Sequence, residues 1–219
     1  MGKILVIKNI YGDPKLEVEA ESFKAAVEKV KDKLADADLS GADLSFANLS
    51  DANLKGADLN HADLEGAALN EANLEVTDLR GTDLKEADLR KANLIGAGLK
   101  YAYLRKADLS GADLEGADLE GADLKEADLN WAYLRYADLG YVDLTWASLK
   151  YAYLRGANLR GADLKEADLS WAYLRYADLE GADLTDVNLC RANLDHANFS
   201  GSNLEGADWM THHVCLGPG

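Results

Sequence analysis

The sequence predicts an all-β solenoid with a square cross-section, and three observations support this prediction. A five-residue unit repeats without insertion or deletion from Ala37 to Thr211. Of the 35 positions at every fifth residue from Leu39 to Trp209, 33 are Leu. A small residue, usually Ala, stands two positions before each of them, and 28 of the 35 intervening residues are Asp or Asn. Such a short internal repeat is typical of a solenoid and not of a catalytic framework.

The period of five residues determines the shape of the coil. It matches neither the 3.6-residue period of a helix nor the two-residue period of a strand, so the chain must change direction in every unit. Four units close a square of twenty residues, and coils stacked about 4.8 Å apart place residues twenty apart above one another. We expect the Leu and Ala columns to face inward. We expect Asp or Asn at the corners, where their side chains accept hydrogen bonds from nearby backbone N–H groups.

The consensus Ala-Asp/Asn-Leu-X-X resembles the pentapeptide-repeat family over 35 consecutive units. The resemblance implies a right-handed quadrilateral β-helix of about nine four-sided coils. A few residues replace Asp or Asn in the consensus, namely Ala68, Gly98, Ser148 and four Tyr. The repeat therefore predicts a β-helix domain over residues 37–211, followed by a short tail, residues 212–219.

Residues 1–36 precede the repeat, and their sequence pattern predicts a capping unit. Residues 3–10 and 15–20 have strand character and flank a turn signal at residues 11–14, which predicts a hairpin. Ser22 is a suitable N-cap for an amphipathic helix whose apolar face is formed by Phe23, Ala26, Val27, Val30 and Leu34. A hairpin and a helix would cover the open edge of the first coil, which would otherwise invite end-to-end polymerisation. A docking module for a partner is the alternative interpretation.

The net charge of -16 comes mainly from the repeat itself. Asp fills the Asp/Asn position 19 times, whereas the two X positions carry 16 basic and 13 acidic residues. The acidity is therefore interpreted as a consequence of the repeat chemistry. No signal peptide and no membrane-spanning stretch is recognisable, and Cys190 and Cys215 do not resemble a disulfide framework, with Cys190 at an outward position. These features favour a cytoplasmic protein.

Signals of catalysis, cofactor binding and metal binding are missing from the sequence. It contains no G-x-S-x-G motif, no P-loop and no paired catalytic His, so we expect no enzyme, no small-molecule substrate and no cofactor. His212, His213 and Cys215 lie in the tail, but they lack a fourth ligand and a framework, so no metal site is predicted.

The outward aromatic residues are unevenly distributed: ten of the fourteen Tyr and Trp residues fall between positions 131 and 176. Residues twenty apart share a column, which predicts three parallel columns on one wall. These comprise Trp131, Tyr151 and Trp171; Tyr133, Tyr153 and Tyr173; and Arg135, Arg155 and Arg175. We predict that they form a candidate interface, because Tyr, Trp and Arg are enriched in binding hot spots. Tyr136 and Tyr176 are assigned to neighbouring walls.

Two interpretations of these columns remain open. The aromatic residues could only stabilise one another, since residues 124–139 and 164–179 are nearly identical and suggest a duplicated segment. Alternatively the wall binds a partner; stacking of bases or sugars is one form of this. The Asp residues around the stripe argue against a strongly anionic ligand.

The function predicted first is that of a non-enzymatic interaction solenoid with an unknown protein partner, with self-association as a further possibility. The family resemblance implies an alternative, a DNA mimic that binds a type II topoisomerase such as DNA gyrase and protects it from inhibitors. The slight basic excess at the X positions and the absence of inserted loops weigh against that alternative.

Overall fold

The computed structural model of the protein describes residues 3–209. Its elements in chain order are β1 (Lys3–Asn9), β2 (Pro14–Ala20), α1 (Phe23–Lys29), a short 3₁₀ helix (Lys31–Lys33) and β3 (Ala37–Asp38). The predicted tail, with His212, His213 and Cys215, lies outside the described residues. Within residues 3–209, no helix combines the length and the apolar character needed to cross a membrane.

Parallel β-bridges connect each coil to the next. They join residues twenty apart without interruption, from Asp38 with Asp58 to Asn188 with Asp208. In the first bridge, the Leu39 N–H donates to the Asp58 carbonyl at 2.8 Å, and the Asp58 N–H donates to the Ala37 carbonyl at 2.9 Å. The same pattern recurs five residues later on the next side of the square, so each coil has four short ladders.

The change of direction is made by the Leu residue and the two X positions. The Ala42 N–H donates to the Leu39 carbonyl at 3.1 Å, and the second X position has a left-handed backbone, as at Gly41 (φ 62°) and Phe46 (φ 56°). A four-residue turn with positive φ only at its third residue is a type II turn. The expectation of Asp or Asn at the corner is therefore wrong, because these residues form the β-bridges.

The Asp and Asn side chains nevertheless bond to the backbone as predicted. Asp43 Oδ1 accepts from the Ser45 N–H at 3.2 Å, and Asp63 Oδ1 accepts from the Glu65 N–H at 3.0 Å. Each such bond satisfies a donor in the turn that follows, which explains why short acceptor side chains recur at this position.

The core is a column of Leu and small residues, as the repeat predicts. The Leu positions from Leu39 to Leu184 are at most 1% exposed. Thr77 and Thr82 replace Ala in this column, and their hydroxyls donate to the carbonyls of Leu54 and Leu59 at 2.8 Å. Both buried hydroxyls are therefore satisfied, and no buried side-chain polar atom in the described part of the chain lacks a partner.

Cys190 departs from the sequence prediction. It occupies an X position but is fully buried, and it is not a free thiol. The expectation of an outward, unpaired cysteine is therefore wrong at this position.

The leader residues pack on the edge of the first coil. Strand β1 pairs antiparallel with β2 on one side and with β3, the start of the repeat, on the other. Ser22 Oγ accepts from the Ala25 N–H at 3.1 Å and thus caps α1. The helix is shorter than the predicted amphipathic segment, because Val30 leaves the helical region (φ -121°) and the chain continues as a 3₁₀ turn.

Two groups of the leader satisfy backbone donors of the first coil. Glu28 Oε1 accepts from the Asn48 N–H at 2.8 Å, and the Lys31 carbonyl accepts from the Asn53 N–H at 2.8 Å. In later coils, the carbonyl of the preceding coil accepts this bond. The leader thus provides acceptors that a coil below would otherwise provide.

Candidate functional site: an aromatic and arginine wall

Three consecutive coils present the predicted aromatic and Arg columns on one side of the solenoid. We define the aromatic wall as residues 130–136, 150–156 and 170–176. In each segment, Trp or Tyr occupies the second X position that precedes Ala, at 131, 151 or 171. Two residues later a Tyr occupies the Asp/Asn position, and Arg follows at the first X position. The fixed spacing of twenty residues per coil places all nine predicted site residues in their three columns.

The first column consists of stacked rings. The centroids of Trp131 and Tyr151 are 4.1 Å apart with an interplanar angle of 6°, and those of Tyr151 and Trp171 are 5.8 Å apart at 20°. The guanidinium carbon of Arg191, one coil further on, lies 4.6 Å from the Trp171 ring centroid. Arg191 therefore ends the column with a cation–π contact.

The second column is more regular. Tyr133 and Tyr153 have centroids 4.9 Å apart at 4°, and Tyr153 and Tyr173 have centroids 5.0 Å apart at 5°. Because the rings cover one another face to face, the wall presents mainly their edges to solvent. This geometry opposes the insertion of a base or a sugar ring between them. Ring edges carry a partial positive charge, so the exposed rim attracts acceptors and anions.

The third column differs from residue to residue in its ion pairing. Arg135 Nη2 lies 2.6 Å from Glu115 Oε2. Arg155 and Arg175 form no ion pair with any described residue; instead, their guanidinium carbons lie 6.0 and 4.8 Å from the centroid of the Tyr176 ring. Both arginines are exposed, so their charge remains available to a partner.

The sequence prediction missed the contacts of two residues, Tyr176 within the wall and Arg191 in the coil that follows it. Arg175 Nη2 donates to the Tyr176 hydroxyl at 3.1 Å, so Tyr176 contacts the Arg column and does not belong to a separate wall. The ring of Tyr176 also stacks on His196, with centroids 5.0 Å apart. The twenty-residue rule contained the signal, since 191 follows 171 and 196 follows 176 by one coil.

The charge of the wall is opposite to that of the chain. Its three segments contain no Asp or Glu and four basic residues, Arg135, Lys150, Arg155 and Arg175, in a chain of net charge -16. Acidic residues occur in the same columns one coil away, at Asp113 and Glu115 before the wall and at Asp195 after it. The wall is thus a positive patch three coils high. The coil before it carries Asp113 and the Arg135-paired Glu115, and the coil after it carries Asp195 together with Arg191.

Most acidic side chains outside the wall are engaged in local contacts. Nine Asp residues of the repeat lie in ion pairs with Lys or Arg: Asp78, Asp83, Asp88, Asp108, Asp118, Asp163, Asp168, Asp178 and Asp183. Hydrogen bonds from Arg80 and Arg90 hold the pKa values of Asp78 and Asp88 below the usual range. These carboxylates are therefore poor candidates for acid–base catalysis near neutral pH.

The acidic group formed by Asp118, Glu120 and Asp138 is the one group of three or more potential metal ligands in residues 3–209 whose ligand atoms all lie within 4.8 Å of one another. The Lys100 ammonium lies 2.6 Å from Glu120 Oε2 and 3.4 Å from Asp118 Oδ2. These ion pairs with Lys100 offset the repulsion between the carboxylates, so they explain why the acidic side chains lie close together.

Comparison with known proteins supports the family that the repeat suggests. The family model "Pentapeptide repeats" matches in overlapping segments that together span residues 37–208. Comparison with the curated proteins finds no match.

Several solved structures are similar to the chain. HetL, a pentapeptide repeat protein involved in heterocyst differentiation regulation from the cyanobacterium Nostoc sp. strain PCC 7120, is 39% identical; the match covers 78% of this chain and 82% of HetL, with a TM-score of 0.40. QnrB1, a plasmid-mediated fluoroquinolone resistance protein, is 18% identical, with 71% and 83% covered and a TM-score of 0.57. Rfr23 from the cyanobacterium Cyanothece 51142 is 31% identical, with 56% and 64% covered and a TM-score of 0.25.

The family model covers well over half of the chain, and the described coils have the bridge pattern that a five-residue repeat requires. The chain belongs to the pentapeptide repeat family, whose members fold as right-handed quadrilateral β-helices.

Proposed function

We propose that the protein is a non-enzymatic interaction solenoid and that the aromatic wall binds a protein partner. The observation that carries the proposal is the combination of exposed aromatic edges with Arg155 and Arg175, which have no carboxylate partner among the described residues. Trp131 and Tyr173 remain 52% and 44% exposed despite their stacking. Exposed Trp, Tyr and Arg in one patch are typical of binding hot spots, and soluble proteins rarely expose such a patch without a use for it.

Mutual stabilisation explains only some of these features. Each stacked aromatic pair contributes about 0.5–1.5 kcal/mol, so the ladders strengthen the three coils. The Tyr ladder accounts for the missing Asp or Asn at positions 133, 153 and 173, but stacking of the rings does not require Arg at the first X position of all three coils. The charge pattern therefore favours an interface.

A pull-down from host-cell lysate tests the proposal. The wall variant replaces Tyr133, Tyr153 and Tyr173 by Ser and Arg135, Arg155 and Arg175 by Gln. We expect the native chain to capture a protein that the wall variant does not. A matched control replaces exposed residues outside the wall, namely Tyr101→Ser, Tyr141→Ser, Arg90→Gln and Arg160→Gln, and should capture the same protein as the native chain.

Two results would count against the interface. If the native chain and the wall variant capture the same proteins, the ladders only stabilise the coils. If the control variant loses the partner as well, the effect is one of general surface change. Circular dichroism of all three proteins must show equal secondary structure for the comparison to hold.

The DNA-mimic alternative makes a different prediction for the same experiment. Gyrase subunits would be captured by the native chain and the wall variant alike, because mimicry would use the rows of Asp residues. The nine ion-paired Asp residues reduce the negative charge of these rows, so the alternative stays second.

We further propose that residues 1–36 cap the first coil and that the repeat forms about nine coils. The acceptors provided by Glu28 and Lys31 support the capping role. The bridges from Asp38 to Asp208 support the coil number, because each links one coil to the next.

A further inference from the structure

We propose that the partner of the aromatic wall is a short, acidic protein segment, whose carboxylates pair with Arg155 and Arg175. This inference rests on the proposed function and names the chemistry of the partner. It starts from Arg155 and Arg175, the two arginines of the wall that have no carboxylate partner in the described structure, whereas Arg80, Arg90, Arg135 and Arg160 each have one.

The groups around these arginines also favour carboxylates. The stacked rings expose edges, which carry a partial positive charge, and the Tyr hydroxyls can donate hydrogen bonds. Arg forms bidentate bonds with carboxylates, which adds geometric specificity. With no acidic residue in the three wall segments, nothing within the wall competes for the arginines.

The height of the wall limits the length of the segment. Three coils at a spacing of about 4.8 Å span about 10 Å, the length of about three extended residues. Asp113 and Glu115 before the wall and Asp195 after it would repel an anion that ran further along the solenoid. The Asp residues around the stripe, which in the sequence argue against a strongly anionic ligand, therefore limit the segment to a few carboxylates that face Arg155 and Arg175. The stacked rings leave no room for intercalated bases. A short peptide segment meets both constraints, whereas a nucleic acid meets neither.

Binding of labelled probes, measured by fluorescence anisotropy, tests the inference. The probe is a six-residue peptide with Glu-Asp-Glu at its centre and neutral Gly and Ser on either side, and its matched control contains Gln-Asn-Gln at the three central positions. The native chain should bind the acidic peptide at low salt and at least about tenfold more weakly at physiological salt, since the contact is ionic. It should bind the amide peptide at least about tenfold more weakly than the acidic one.

Two double variants separate the wall from net charge. Arg155→Gln with Arg175→Gln should weaken binding of the acidic peptide by about tenfold or more, because both charge partners are lost. Arg90→Gln with Arg160→Gln removes the same charge from arginines that are already ion-paired, and should leave the affinity unchanged within about twofold. All four positions are on the surface, so both variants should keep the native circular dichroism spectrum and remain folded at the temperature of the binding experiment.

The inference is overturned by any of three results. The first is equal binding of the acidic and amide peptides, and the second is an equal loss of affinity in both double variants. The third is tighter binding of a six-nucleotide single strand than of the acidic peptide. If one of these occurs while the pull-down still shows a partner that depends on the wall, the interface stands and only the acidic class of partner is wrong.

Discussion

At the scale of the residue, the left-handed backbone of the second X position is the most demanding feature of the chain. It recurs at every fifth residue from Asp36 to Gly206, with 13 Gly and 22 other residues. Gly adopts this conformation readily, whereas other L-residues pay about 1 kcal/mol or more. The least suited is Val76 (φ 51°), because a β-branched side chain in this region is an outlier.

We predict that Val76→Asn stabilises the protein by about 0.5–1 kcal/mol, since Asn tolerates positive φ and Val76 is 55% exposed. Chemical denaturation measures the change. Ile95→Asn is the matched control, because it also replaces an exposed β-branched residue at an X position. Ile95 does not have a left-handed backbone, so no gain in stability is expected. Equal effects of both substitutions would show that backbone strain is not the cause.

At the scale of the element, the leader and the first coil form one unit. Later coils receive acceptors from the coil before them, whereas the first coil receives them from Glu28, Lys31 and β1. In a solenoid, stability is approximately the sum of contacts between neighbouring repeats, so an end without such contacts frays first. The leader therefore matters most at the N-terminal edge.

We predict that Glu28→Ala destabilises the protein by about 1 kcal/mol, because the Asn48 N–H loses its acceptor. Glu28→Gln keeps an acceptor oxygen and should cost less. Glu21→Ala removes the same charge from a neighbouring exposed position and should have little effect. Hydrogen exchange at Asn48 reports the lost bond directly. Unchanged protection of that amide in Glu28→Ala would contradict the assigned role.

At the scale of the whole molecule, the rows of acidic residues link stability to pH. Hydrogen bonds from Arg80 and Arg90 depress the pKa values of Asp78 and Asp88, and bonds from Thr185 depress that of Asp183. A carboxyl whose pKa is lower in the folded state stabilises the fold above its unfolded pKa. That contribution is lost as the pH falls through the folded value.

We predict that the melting temperature is level near neutral pH and falls below about pH 4, as these carboxylates become protonated. In Arg80→Gln with Arg90→Gln, the pKa values of Asp78 and Asp88 should move back towards the usual range. The difference in stability from the native chain should therefore shrink as the pH is lowered. Thermal melts at several pH values measure this. A constant difference across the range would show that the two arginines act only through packing.

The sequence by itself predicted much of the fold, because one rule of spacing applies to every unit. The inward Leu column, the twenty-residue coil and the columns from Trp131 to Arg175 follow directly from residue numbers. The same rule could have revealed Arg191 above Trp171, and the enrichment of Gly at the second X position could have revealed the left-handed turn. The expected corner position of Asp failed because a side-chain bond to the backbone does not by itself specify where the chain bends.

The repeat determined which residues share a face, since spacing along the chain fixes height and side on a square coil. Only the tertiary structure decided which groups on that face satisfy one another. It showed that neighbouring aromatic rings stack face to face, that Glu115 pairs with Arg135, and that Tyr176 contacts Arg175. Side-chain torsions determine these contacts, and a five-residue period does not specify them. The availability of Arg155 and Arg175 is therefore a property of the folded surface.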